Sequence, residues 1–137
     1  MTPERTTGQE PDGPSILIVD DSAMMRAMIK RVALVAGPPV GTIYEAGNGQ
    51  EALAILEQHR VQFVFTDLNM PVMTGTELLR AMKARDEWRD IVRVIISTDG
   101  SDSRRLEAED LSVKVYVEKP FRPEVMRDVL ASIAPSS

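Results

Sequence analysis

Carboxylates, hydroxyls and a lysine stand where short apolar runs end. Asp20, Asp21 and Ser22 follow Ile16-Leu17-Ile18-Val19, and Asp67 and Asn69 follow Phe63-Val64-Phe65. Ser97, Thr98 and Asp99 follow Val94-Ile95-Ile96, and Glu118, Lys119 and Pro120 follow a run holding Val113, Val115 and Val117. If Asp20, Asp21 and Asp67 share one crevice they repel each other, and loss of water worsens the repulsion unless cations intervene. One cation on offer is the ammonium of Lys119; the other is a divalent metal. Oxygen-only donors favour a hard ion, Mg²⁺ with Mn²⁺ as the alternative, over zinc. Mg²⁺ takes one or two carboxylates and keeps waters that a phosphate can replace. Aspartate forms acyl phosphates as covalent intermediates, and phosphoryl transfer depends mainly on positioning and charge neutralisation. The chemistry indicated is therefore a phosphoryl group landing on a carboxylate.

Each residue also has a plainer reading. Asp20, Asp21 and Ser22 suit an ordinary helix N-cap. Asp67 suits a turn, as Asp-x-Asn-x-Pro does generally. Lys119 suits a solvated charge before a proline. Taken singly these readings suffice; taken together, each residue at the end of an apolar run, they point to a site.

Short apolar runs alternate with amphipathic stretches from residue 15 onward, and these elements must position the site. Ile16-Leu17-Ile18-Val19 is continuous and branched, as a strand covered on both faces is. Met25, Met28, Ile29, Val32 and Val35 recur at helical spacing, and Gly37-Pro38-Pro39 ends that helix. Residues 42–46 form a second strand. Asn48 with Glu51 has capping-box spacing before a helix whose apolar side is Leu53 and Leu56, and Thr74 with Glu77 repeats the signal before Leu78, Leu79 and Met82. Phe63-Val64-Phe65 and Val94-Ile95-Ile96 are the third and fourth strands. Residues 102–110 read as a helix with Leu106 as the one large apolar residue, hence loosely held. Val113, Val115 and Val117 alternate with polar or amphipathic neighbours, the pattern of an edge strand. Pro123 suits the first turn of a last helix with Val125, Met126, Val129, Leu130 and Ile133 inward. Five strands alternating with five helices imply an α/β fold, a parallel sheet with helices on both faces. Ligands in such sheets bind beyond the carboxyl ends of the strands, where the polar residues cluster.

Composition narrows the function classes. The 137 residues fit one domain, with 43% hydrophobic and 27% charged residues. Net charge is −5, from 16 basic and 21 acidic residues, with no basic stripe for nucleic acid. Cysteine is absent, excluding disulfides and thiol chemistry and agreeing with a cytoplasmic setting. No run approaches the ~20 apolar residues of a membrane span, so no membrane insertion is expected. Residues 1–14, rich in glycine, proline and polar types, read as a flexible tail before a domain over residues 15–137. His59 reads as exposed and unpaired with any metal, and Trp88 as lying away from the polar rim.

IVDDS (18–22), TDLNMPVMTG (66–75), VIIS (94–97) and YVEKPF (116–121) resemble the response-regulator receiver family, in particular its single-domain, CheY-type members. The resemblance runs over about residues 15–133. Its four motifs are modest alone and highly specific in this order and spacing. It implies a flavodoxin-like (βα)5 three-layer sandwich with strand order 2-1-3-4-5, for which the family is a known example. It implies that Asp67 is the phosphoacceptor, and that Asp20 and Asp21, with Asp67 and the backbone carbonyl of Asn69, hold Mg²⁺. Ser97 matches the phosphoryl-contacting hydroxyl, although Thr98 stands beside it. Lys119 matches the phosphoryl-pairing lysine, with a cis bond to Pro120. Tyr116 matches a switching aromatic, and a plain amphipathic tyrosine on an edge strand reads equally well.

The family's position after the hydroxyl is usually small, so Thr98 is expected to narrow the approach to Asp67; Asn69 and Asp99 join it as rate-modulating positions. Leu111-Ser112-Val113 lacks the family's glycine turn, which leaves the exit of the preceding helix open. The implied partners are a sensor histidine kinase or a histidine phosphotransfer protein, and a downstream protein meeting helix 4, strand 5 and helix 5. With four residues after Ile133, no output domain is expected there. The alternative role is a phosphorelay intermediate or phosphate sink. A flavin module would need a phosphate-cradling loop where Asp20-Asp21 stands. An aspartyl phosphatase would need its nucleophile after strand one in an Asp-x-Asp context that is absent. The implied switch only phosphorylates itself from donors and slowly loses the group, and so is not an enzyme acting on an outside substrate.

Overall fold

The computed structural model describes residues 13–35 and 40–133, with the side chains of Ser132 and Ile133 outside the description. The expectations for the tail up to residue 12, for Gly37-Pro38-Pro39 as a helix stop and for Ile133 as a core residue lie outside the described residues.

Elements alternate as the hydrophobic pattern predicts: β1 (Ile16–Val19), α1 (Ala23–Val35), β2 (Ile43–Ala46), α2 (Gly49–Gln58), β3 (Phe63–Thr66), α3 (Gly75–Lys83), a 3-10 turn (Asp86–Trp88), β4 (Val92–Ser97), α4 (Asp102–Asp110), β5 (Val115–Glu118) and α5 (Pro123–Ile133). All neighbouring strands pair in parallel, in the order β2-β1-β3-β4-β5. This is the flavodoxin-like sandwich. Alternate residues of each strand point to opposite faces. Ile16, Ile18, Phe63, Phe65, Val94 and Ile96 pack with Ile29 and Val32 of α1 and Met126 and Leu130 of α5. Leu17, Val19, Val64 and Ile95 pack on the other side with Leu56 of α2, Leu78, Leu79 and Met82 of α3, and Ala108 of α4. Each fully buried large side chain of this kind is worth about 1.5–3 kcal/mol relative to exposure.

Capping sets where helices begin. Thr74 and Glu77 form the reciprocal capping box. At α2 the Asn48 side chain accepts from Glu51 N–H at 2.9 Å. Glu51 reaches one residue further back, and its Oε1 accepts from Gly47 N–H at 2.7 Å. The exit of α4 is closed by Ser112, whose φ of 64° takes the left-handed turn without a glycine. Ser112 N–H donates to Glu109 O and Val113 N–H to Ala108 O, both at 3.1 Å, completing a Schellman motif.

Three expected core positions face solvent. Val35 is 78% exposed, because it lies six residues and hence about 120° around the helix from Ile29. Val125 is 42% exposed, about 100° round from buried Met126. Leu106 is 62% exposed, about 200° from Ala108, the one buried residue of α4. The inward stripe of α4 is Arg104, Glu107, Ala108 and then Leu111, so its upper half is charged. The apolar hold on this helix is weaker than its sequence suggests.

Trp88 is buried against the α2–α3 side of the core, with the Arg85 guanidinium 4.1 Å over its ring. It lies before the start of β4, at the end of the sheet opposite the polar rim. His59 is exposed and stacks on Tyr44 at 4.6 Å.

Candidate functional site

Register carries the chemistry to one rim. Val19 pairs with both Ala46 and Thr66, so the residues that follow Val19 and Thr66, Asp20 and Asp67, come out side by side. The ladder continues one step: Asp67 N–H donates to Val19 O at 2.9 Å, and Lys119 N–H to Ser97 O at 2.7 Å.

Asp20 is buried, and both its carboxylate oxygens are engaged. Oδ1 accepts from Ser22 N–H at 2.9 Å and Oδ2 from Lys119 Nζ at 2.8 Å. Lys119 Nζ also donates to Asp67 Oδ2 at 3.2 Å, while Asp67 Oδ1 accepts from Leu68 N–H at 2.7 Å. One oxygen each of Asp20, Asp21 and Asp67 lie within 4.8 Å of one another, with Asp21 exposed. Burial opposes the charged form of Lys119. The hydrogen bond to Asp20 and the charges of Asp67 and Asp20 outweigh it, raising the ammonium above the ordinary lysine range. Capping and site chemistry coexist here, since the Ser22 hydroxyl accepts from Met25 N–H at 3.1 Å in the first turn of α1.

Close backbone approach fixes the loop that carries Asp67. Gly75 N–H donates to Leu68 O at 2.9 Å, and a Cβ on Gly75 would fall 1.9 Å from Asp67 O. Only glycine lets the start of α3 come so near. Between Leu68 and Gly75 the loop turns through Val72 at a φ of 69°, an uncommon backbone state for a β-branched residue.

Ser97 is fully buried, and its Oγ accepts from Asp99 N–H at 3.1 Å, whereas Thr98 is exposed. Asn69 is exposed beside Asp67. Tyr116 is half-buried, donates its hydroxyl to Asp99 O and lies under the Arg105 guanidinium at 4.6 Å. Burial, and then the Asp99 charge, raise its phenol. The Lys119–Pro120 bond is cis. The structure thus brings Asp20, Asp21, Asp67 and Lys119 into contact range, and ties Ser97 and Tyr116 to one another through Asp99.

Three arginines escaped the sequence reading. Arg26 donates from Nη1 to Asp20 O, and its Nε pairs with Glu45 at 3.0 Å, tying the acidic turn to α1 and β2. Arg93 is buried in β4, donating to Trp88 O at 2.8 Å and Leu111 O at 3.4 Å, while its Nε has no partner among the described residues. Burial lowers its pKa. Arg104 bridges Asp99 and Glu107 at 3.3 and 3.0 Å. Only the i,i+3 spacing of Arg104 and Glu107 was a usable signal.

The donor set fits a hard divalent cation: all-oxygen, acidic, and partly open through Asp21.

Residues 16–131 match the response regulator receiver domain. A chemotaxis protein CheY homolog of Campylobacter jejuni is 33% identical over 119 residues, covering 86% of this chain and 90% of that protein. Chemotaxis protein CheY of Pseudomonas aeruginosa is 35% identical over 118 residues, covering 86% and 94%. Among solved structures, chemotaxis response regulator CheY4 of Vibrio cholerae is similar with a TM-score of 0.77 and 30% identity, covering 86% of this chain and 96% of that one.

Proposed function

The chain belongs to the response regulator receiver domain family, and from that premise we propose that it is a single-domain response regulator with Asp67 as phosphoacceptor. The donor is a phosphohistidine, on a sensor histidine kinase or a histidine phosphotransfer protein, or a small acyl phosphate. An Asp67 carboxylate oxygen attacks phosphorus; the new O–P bond makes an acyl phosphate, and the donor's P–N or P–O bond breaks with its electron pair leaving on imidazole or carboxylate. The observation that supports this best is the pair of bonds from Lys119 Nζ to Asp20 and Asp67, which sets one cation between the acceptor and its acidic neighbour.

Mg²⁺, or Mn²⁺, held by Asp20, Asp21, Asp67 and the Asn69 carbonyl would supply charge neutralisation for the phosphoryl oxygens. Lys119 supplies a further positive charge, and the buried Ser97 hydroxyl keeps its proton free to donate to a phosphoryl oxygen. Exposed Thr98 narrows the approach to Asp67, and Asn69 and Asp99 tune the rate beside it. Phosphorylation replaces the single charge of the Asp67 carboxylate with a phosphoryl group carrying about −1.5 to −2 charges and three acceptor oxygens. Ser97, Lys119 and Tyr116 then bias an existing equilibrium toward an output form. The output is a protein contact through α4, β5 and α5 in the cytoplasm. No helix among the described residues is long and apolar enough to cross a membrane.

Intact-mass spectrometry after incubation with acetyl phosphate tests this reading. We expect a Mg²⁺-dependent, base-labile phosphoryl adduct, accumulating faster in Thr98→Ala. Absence of an adduct from acetyl phosphate, phosphoramidate and histidine kinases alike would overturn the phosphoacceptor assignment.

A further inference from the structure

Every polar atom of Asp99 is engaged. Its N–H donates to Ser97 Oγ at 3.1 Å, its carbonyl accepts from the Tyr116 hydroxyl, Oδ1 accepts from Ser101 N–H at 3.1 Å and Oδ2 from Arg104 Nε at 3.3 Å. Arg104 Nη1 continues to Glu107 Oε1 at 3.0 Å, and Glu107 Oε2 accepts from Arg80 Nη2 on α3 at 2.8 Å. Asp99, Arg104, Glu107 and Arg80 therefore form a line of alternating charge from the β4–α4 loop across to α3. Three of them, Arg80, Arg104 and Glu107, line a polar cavity of about 280 Å³ that also reaches Asn69.

The Asp99 carboxylate is held toward α4 by these bonds. Without Arg104, Oδ2 would lose its donor, and the carboxylate, only two residues beyond Ser97, would be left on the Ser101 N–H bond alone and could turn about it toward the rim. That rim already gathers Asp20, Asp21 and Asp67. The side chains of Arg104 and Asp99 are 37% and 34% exposed, so this pair contributes little to global stability. Its consequence is orientation and local charge.

We propose that Arg104 is a positioning residue for phosphoryl transfer. By holding one Asp99 carboxylate oxygen it supports, beside the Ser101 and Tyr116 bonds, the placement of the Asp99 N–H that orients the Ser97 hydroxyl, and it keeps a further carboxylate from facing incoming phosphodonors. This rests on the reading of Asp67 as phosphoacceptor.

The test compares wild type, Arg104→Met, Arg104→Lys, Asp99→Asn and the Arg104→Met/Asp99→Asn double variant. Loading is followed with dianionic acetyl phosphate and with phosphoramidate, whose protonated nitrogen lowers its net negative charge. Amide exchange of Asp99 is measured separately on unphosphorylated protein. Arg104→Met is expected to slow acetyl phosphate loading about three- to tenfold and phosphoramidate loading less, as an unpaired charge near the mouth implies. Asp99→Asn in the same chain restores the rate, Arg104→Lys stays near wild type, and Asp99 exchange speeds up in Arg104→Met alone among the single Arg104 variants. Equal slowing with both donors, or no slowing, together with unchanged Asp99 exchange, overturns the positioning role while leaving the phosphoacceptor reading intact. If Asp99 exchange responds as described but no variant or wild type takes up phosphate, the orienting role is supported and it is the phosphoacceptor reading that fails.

Discussion

Lys119 is the residue on which the site's charges balance, and its own ionisation offers a way to see that. Its ammonium lies between Asp20 and Asp67, and their attraction lifts it above the ordinary lysine value despite burial. A cationic group raised on folding stabilises fully below its unfolded value of about 10.4, and that stabilisation is lost as pH rises through the folded value. Urea midpoints of wild type are therefore expected to fall more steeply above about pH 10 than those of Lys119→Met. Tyr116, also raised by burial, acts in the same direction, so Tyr116→Phe serves as the reference for its share. Parallel curves for wild type and Lys119→Met would show that the lysine is not balancing these carboxylates. Asp20, Asp21, Asp67 and Lys119 were legible in the sequence because each closes an apolar run. Arg26 and Arg93 were not, because their partners include backbone carbonyls, of Asp20, Trp88 and Leu111. Any residue type carries a carbonyl, so no side-chain pattern announces such a contact.

At the scale of elements, periodicity placed the five strands and the five α-helices but not the 3-10 turn at Asp86–Trp88, and Val113, expected in the last strand, lies before β5; capping residues fixed the starts of α2 and α3. What it misjudged was rotation. Val35, Val125 and Leu106 are apolar yet turned outward, because helix facing is set by which stripe the sheet accepts rather than by each residue's polarity. The exit of α4 left a question that the structure answers. Ser112 occupies a left-handed position where glycine costs nothing and serine is strained. Ser112→Gly is expected to stabilise the protein by about 0.5–1 kcal/mol, seen as a higher urea midpoint at unchanged slope. A lower midpoint would mean that the serine side chain contributes more than its backbone strain costs.

The whole molecule is a two-sided core with one helix fastened differently from the rest. α3 buries Leu78, Leu79 and Met82, whereas α4 buries only Ala108. The other ties of α4 are ionic, Arg80–Glu107, Arg104–Asp99 and Arg105–Glu118, together with the Arg93 and Lys83 bonds to carbonyls at its end. Salt weakens exposed pairs and leaves apolar packing in place. Hydrogen exchange is expected to show α4 amides opening at lower free energy than those of α3, with the gap widening as salt rises. Uniform protection across both helices would argue against α4 as a loosely held part of the proposed output surface. The phosphoryl position proposed at Asp67 can be read directly. Borohydride reduces an aspartyl phosphate to homoserine, so protein loaded with acetyl phosphate and Mg²⁺, reduced and then sequenced by tandem mass spectrometry, reports the site directly. Homoserine is expected at position 67 and nowhere else; homoserine at position 20 or 21, or at none of the aspartates of a chain that carries phosphate, would contradict the assignment of Asp67.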